Sequence, residues 1–369
     1  MKKMIYAIIW IALLFSVAPL KGQDMLQYPP HVKWKLIKTE HFRVAYPVGF
    51  EKQALKTAQT MENLYQPLGN TLQGRRAPWT ILISNTGTIS NGSVSLAPRH
   101  AQFYAYPPQA NFSGPIDWFD LLATHEGRHM VQFDILNSGF TRFIGNFTGE
   151  TGIGTMIMWS TPMWFLEGDA IASETAYSEA GRGRLPEFNM QQRALRLSGK
   201  KFDYDKTYLR SYKDFIPNHY VLGYLVVADA RHQYSADLFS KINKRTAKFS
   251  LNPFRFYFSY RKYTKKFFRE DYFNIMARYD SLWLSQWDHL DFSKANLVSN
   301  PQKRSFTSYS FPSIGYKGRL IAYKTGIATT PHVVMLDTAT AYEEPIVEIT
   351  ENEFVSAGEK YITWINNNV

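Results

Sequence analysis

The chain has 369 residues, 45% of them hydrophobic and 16% aromatic, which excludes a disordered chain and supports one large core with something further attached. It has no cysteine, which excludes a disulfide-stapled domain and a lipidated N-terminal cysteine alike. The formal charge of +11 is uneven: residues 241–269 hold ten Lys or Arg and no Asp or Glu, and residues 1–23 add three Lys and no acid, so the remainder is close to neutral.

Residues 1–23 read as a secretory signal. Lys2 and Lys3 precede an apolar run over 4–20, and the small Gly22 follows as the last residue before cleavage. A retained membrane anchor is the alternative, with a run at the short end for a span. The expected location is therefore outside the bacterial cytoplasm: periplasm, outer surface or medium. No later stretch reaches spanning length.

Residues 34–47 have strand composition. Residues 49–72 place Ala54, Ala58, Met61, Leu64 and Tyr65 at helical spacing. Residues 77–86 are a second strand. Residues 92–108 are one or two more, broken by Pro98 and closed by Pro107 and Pro108. This alternation predicts a mixed sheet with helices. A helix over 117–134, N-capped by Asp117, brings Trp118, Leu121, Leu122, His125 and His129 on or near one face. Residues 146–162, rich in Gly and Thr, read as a loop or lid. Residues 163–180 read as a helix apart from Gly168, and later helices are expected at 218–245 and 271–289.

Residues 254–269 interleave cations with aromatics. A solvated helical face over an aromatic core stripe is the expectation, with anionic lipid or polysaccharide contact as the alternative. Nucleic acid is not an expected partner of an exported chain. After a linker at 291–306, short strands separated by Gly, Lys and Thr turns begin to repeat. The repeat of roughly 40–45 residues is that of a propeller blade. A propeller needs at least four blades, so one and a half predict a fragment of a longer chain, the alternative being a small β-extension. The domain reading is thus a signal at 1–23, a first domain at 24–300 and a β-segment at 301–369.

His125-Glu126-Gly127-Arg128-His129 is H-E-x-x-H. On a helix, residues i and i+4 share a face, so His125 and His129 offer two imidazoles to one tetrahedral Zn²⁺. Glu126 sits about 100° round the helix and points beside the metal, where a base would act on water. Downstream, Glu167 lies among Trp164, Phe165, Leu166 and Ala170. A buried unpaired carboxylate is costly, and a metal removes that cost. Glu167 is therefore the third ligand of a His₂Glu site with an open fourth position, or else a solvent-facing residue near a helix start.

"LLATHEGRHMVQF" followed by "PMWFLEGDAIASE" resembles the gluzincin metallopeptidases of the MA clan, which include thermolysin and aminopeptidase N. The bacterial peptidase-MA-like domains are most similar, pairing H-E-x-x-H-x-x-Q-[FY] with a downstream W-[FL]-x-E-G-x-A. The resemblance covers roughly 30–300, and the strands after 305 resemble TolB-like β-propellers. It implies an α+β, thermolysin-like zincin domain, with mixed sheet and active-site helices, followed by the first blades of a propeller that binds another protein. It also implies zinc held by His125, His129 and Glu167, Glu126 as general base on a zinc-bound water, and a protein or peptide as substrate. The family steadies the oxyanion with a tyrosine or histidine; His219, Tyr220 and Tyr224 fall there, and Tyr220 is the candidate carried forward.

Two positions depart from the pattern. Where thermolysin-type enzymes have an Asp after the third ligand to orient a zinc histidine, this chain has Ile171, leaving Asp169, Glu174 and Asp120 as candidates. Met61-Glu62-Asn63 echoes the amine-binding segment of aminopeptidase N without its glycine, so aminopeptidase specificity is not expected. The alternative function is a zinc-stabilised, peptidase-like binding or scaffold protein of the cell envelope, acting with its β-propeller. A zinc hydrolase of another amide or ester is also compatible.

Overall fold

Alternating side chains build the first sheet. Phe42, Val44 and Tyr46 of β2 (Phe42–Pro47) and Trp79, Ile81 and Ile83 of β3 (Trp79–Ser84) all point inward and are buried, as period-2 patterning requires. The computed structural model describes residues 28–366 apart from 75–76, 88, 109–113, 292, 300–303, 350–351 and 359. The segment read as a signal lies outside the described residues.

With β1 (Trp34–Lys38), β4 (Gly92–Leu96) and β5 (Arg99–Tyr104) the sheet runs β1-β2-β3-β5-β4. Its three central strands are parallel and both edges antiparallel, the mixed sheet expected. The β2–β3 crossover is α1 (Glu51–Gly69). It packs on α2 (Trp118–Leu136), where Gly127 permits close approach: a Cβ there would come within 2.7 Å of Leu68 Cδ1. Asp117 caps α2, accepting from the amides of Phe119 and Asp120 at 3.0 and 3.4 Å.

The remaining helices are α3 (Gly139–Ser160), α4 (Met163–Tyr177), α5 (Pro186–Leu197), α6 (Tyr204–Leu209), α7 (His219–Gln233), α8 (Leu238–Lys248), α9 (Arg255–Thr264) and α10 (Phe268–Trp287). Two expectations need correction. Residues 146–162 are not a loop: they lie mostly within α3, two helical pieces joined where Gly149 takes φ 67°. The glycine content that read as a breaker marks that joint and tight contacts; a Cβ on Gly145 would come within 2.5 Å of Ile153. The span 218–245 is two helices, α7 and α8, parted at Tyr234–Asp237, where Ser235 Oγ donates to Asp237. The expectation for 254–269 holds in part: Phe256 and Tyr260 of α9 are fully buried while Arg261 and Lys262 face water, but Phe254, Phe258, Tyr263 and Phe267 are exposed.

After 306 the chain forms an antiparallel four-stranded sheet, β6 (Thr307–Ile314), β7 (Leu320–Gly326), β8 (Thr329–Leu336) and β9 (Glu343–Glu348), in sequence order. A hairpin of β10 (Asn352–Ala357) and β11 (Ile362–Asn366) follows. Val355 and Ile362 of the hairpin pack with Ile321, Tyr323 and Val333 of the sheet. The fold is α+β, and the described residues contain no closed propeller or barrel.

Candidate metal centre

One helical turn separates His125 from His129, and their rings stand nearly perpendicular with centroids 4.9 Å apart. The Nε2 atoms of both lie 3.5 Å from the same oxygen, Oε2 of Glu167. One ligand atom from each residue falls within 4.8 Å of the others, a group that can hold a metal ion. Oε2 of Glu167 is buried and has no hydrogen-bond partner. A buried, unpartnered carboxylate oxygen facing two imidazole nitrogens fits a bound cation.

Each imidazole is held from behind. Gln132, one turn after His129, donates through Nε2 to the Leu166 carbonyl and to Asp169 Oδ2, both at 2.8 Å. Its amide orientation is thereby fixed, so Oε1 accepts from His129 Nδ1 at 2.8 Å, and Nε2 is the nitrogen of His129 that faces Glu167. Asp169 is fully buried and ion-paired to Arg128 (Nε 2.7 Å, Nη2 2.9 Å) and to Arg231. Burial opposes its charge, but the two arginines hold its carboxyl far below the ordinary range.

His125 Nδ1 lies 2.9 Å from Glu174 Oε2. Arg182 donates to that carboxylate through Nε (2.7 Å), Nη2 (2.8 Å) and its backbone N–H (3.0 Å). Against the cost of burial, Arg182 and His125 pull the Glu174 carboxyl down to about 2. Arg182 Nη2 also lies 2.8 Å from His125 Nδ1, so that nitrogen can accept from Arg182 or donate to Glu174. Ligation through Nε2 selects the second.

Without a metal, burial works against the charged form of His129, but Glu167, with help from Glu126, raises it to about 9. Burial likewise works against the Glu167 carboxylate, which the two histidines hold far below its usual value. Glu126 lines the cleft beside His125. It is buried, which raises its pKa, while the histidine charges oppose the shift. A Cβ on Gly92 would lie 2.6 Å from Glu126 Oε1 and 2.5 Å from Leu122 Cδ2, so β4 begins close against the base.

Tyr220 is placed by a glycine crossing. α4 and α7 touch at Gly168 and Gly223, where a Cβ on Gly168 would come within 2.0 Å of the Gly223 carbonyl carbon. Gly168 adjoins Glu167, and Gly223 is one turn after Tyr220, so the contact sets the phenol against the carboxylate. Burial, then the charge of Glu167, pushes the Tyr220 hydroxyl well above its ordinary value. A cleft of about 470 Å³ opens here, lined by Gly92, His125, Glu126, Arg182 and Tyr220, with apolar walls of Trp118, Leu122 and Phe188.

None of the other sequence candidates belongs to the group that can hold a metal. Asp120 binds Lys56 and Thr60 and touches neither imidazole. Tyr224 packs edge-on against Phe188 and donates to the Gly183 carbonyl at 3.4 Å. His219 lies outside the metal-ligand group but beside it: its ring is 4.8 Å from that of Tyr220, and half-burial lowers its pKa while the charge of Glu167 opposes the shift. Glu62 binds His41 at 2.7 Å, so Met61-Glu62-Asn63 holds α1 to the turn between β1 and β2. Ile171 is fully buried in the core. Sequence reasoning missed Arg182, Arg231 and the buried Arg128; the only local clue was an arginine inside H-E-x-x-H itself. No protein-family model matches the chain, and no curated protein shows significant similarity to it.

Proposed function

We propose that the chain is an exported, zinc-dependent peptidase of gluzincin type that hydrolyses peptide bonds, with Glu126 as general base. The observation that carries this is the unpartnered Glu167 oxygen between two imidazoles, beside a second buried carboxylate facing the cleft. A structural metal site has no use for Glu126 there. Two nitrogen donors and one carboxylate with room for a further ligand suit catalytic zinc. When bound, zinc supplies Lewis acidity toward water and the scissile carbonyl.

The chain's own residues do the rest. Glu126, its pKa raised, takes the proton of the attacking water and delivers it to the leaving amine. Tyr220 stands where its hydroxyl can donate to the oxyanion. β4 is the edge of the sheet on the cleft side and begins at Gly92, against Glu126. An extended peptide adding to that edge lies across the base. The β-segment after 306 is the part free to engage a protein partner in the envelope.

The test compares zinc-loaded mature protein with Glu126→Gln on casein, with metal content measured in both. The expected result is cleavage by the first, none by the second, and equal zinc. Zinc in both and cleavage by neither would sink the peptidase reading and favour a zinc-stabilised binding protein.

A further inference from the structure

The face made by α3 and the α8–α9 turn groups exposed aromatic and aliphatic side chains with cations. Phe143 and Phe147 are 52% and 75% exposed, their rings edge-on at 5.1 Å, and Trp159 at the other end of α3 is 55% exposed. Its one acid, Glu150, is taken up by the Arg99 amide at 2.9 Å. α3 is fastened to the end of α8. A Cβ on Gly139 would come within 2.5 Å of Lys248 Cα, and Trp159 Nε1 donates to the Leu251 carbonyl at 3.1 Å. The apolar surface thus continues onto Leu251 and Phe254, 68% and 64% exposed. Grouped exposed apolar side chains of this size mark a contact surface.

Its cations are the second observation. Buried arginines elsewhere have carboxylate partners: Arg128 and Arg231 on Asp169, Arg182 on Glu174, Arg196 on Asp280. Among the described residues, Lys244, Arg245, Lys248 and Arg255 have none. The last three gather over the Phe249 ring at 5.9, 5.7 and 4.2 Å, and the buried Nε atoms of Arg245 and Arg255 lack hydrogen-bond partners.

We propose that this face seats the protein on an anionic lipid surface. Aromatic and aliphatic side chains enter the headgroup boundary while unneutralised cations meet the lipid phosphates. No helix among the described residues is long and apolar enough to cross a membrane, so the seating is interfacial. Gly154 of α3 lies against Leu96 of β4, 3.8 Å from where a Cβ would be, so the surface adjoins the strand that borders the cleft. Seating by this face needs no metal and no catalytic activity.

The absence of cysteine makes a single introduced thiol a unique label site. Phe147→Cys carries an environment-sensitive fluorophore, and Ile346→Cys on β9 serves as control. Both meet phosphatidylcholine vesicles with and without phosphatidylglycerol. The label at 147 should brighten and shift to the blue on anionic vesicles only, and the label at 346 should not respond. Lys244→Gln and Lys248→Gln, both at exposed positions, should each weaken partitioning by roughly fivefold, and salt should weaken it further. No response at 147, equal responses at the two positions, or equal binding to neutral vesicles would overturn the proposal. Binding to heparin without binding to vesicles would assign the face to a soluble polyanion and overturn it too, as would a dimer in solution that buries Phe147.

Discussion

The two imidazoles are supported in different ways. His129 leans on a neutral amide whose orientation is set by Asp169, and Asp169 is shared by two arginines. His125 leans on a carboxylate held by one arginine at the cleft wall. The His129 tautomer is fixed before any metal arrives. At His125, Arg182 and Glu174 compete for one nitrogen, and ligation decides. One side is rigid and deep, the other adjustable and within reach of the cleft.

The largest expected effect breaks this comparison at its charges. Asp169→Ala leaves Arg128, fully buried, and Arg231 without their carboxylate, which costs about 3–5 kcal/mol. Glu174→Ala removes the carboxylate shared by Arg182, which borders the cleft, and His125, and costs about 1–3 kcal/mol. Urea unfolding of the two variants measures both. Equal losses would mean that the two supports are energetically alike.

The next effect is in pH. In the metal-free chain His129 is raised to about 9, above its usual value of about 6.5. A raised pKa contributes stability that is fully present below about 6.5 and is lost as pH rises through about 9. The metal-free protein should therefore lose stability across that window, while the metal-loaded protein should not. Metal must displace the same proton, so its affinity should rise roughly tenfold per pH unit up to about 9. Calorimetry in buffers of different ionisation enthalpy should find about one proton released per metal at neutral pH. Release of none would place His129 in the neutral form before binding.

Legibility in the sequence follows the same division. His125, Glu126 and His129 are readable because helical spacing alone puts them on one side of α2, and Glu167 because a carboxylate in an apolar stretch needs a reason. Glu174 and Asp169 could be named but not assigned, since a periodic helix does not say which neighbour's imidazole it meets. Arg231 acts on Asp169 from 62 residues away, and no local pattern records that. Gly168 looked like an interruption in α4, yet it is the contact that brings Tyr220 to Glu167. α3 was misread for a related reason. Low helix propensity of glycine counts against a helix in isolation, but close packing can require it.

Metal affinity sharpens the comparison at smaller scale. Gln132→Ala and Glu174→Ala should each lower it about 10–100-fold, by different routes. The first frees the His129 tautomer. The second leaves Arg182 as the sole partner of His125 Nδ1, which favours the proton on Nε2 and so blocks ligation. Glu174→Ala should therefore be the worse of the two in a competition titration against a chelator.

The smallest effect is expected where the rigid side holds a surplus. Arg128, Asp169 and Arg231 place two cations around one anion. Removing Arg231 as Arg231→Met leaves the two-point Arg128–Asp169 pair and the bond from Gln132 intact, a balanced arrangement. The loss should be about 1 kcal/mol, the worth of an ordinary hydrogen bond, with metal affinity nearly unchanged. Arg182→Met should cost more, because Glu174 would keep its buried charge with no guanidinium to meet it. If Arg231→Met instead loosens the metal as much as Gln132→Ala does, then Asp169 is positioned by Arg231, and the rigidity of the His129 side comes from α7 rather than from within α2 and α4.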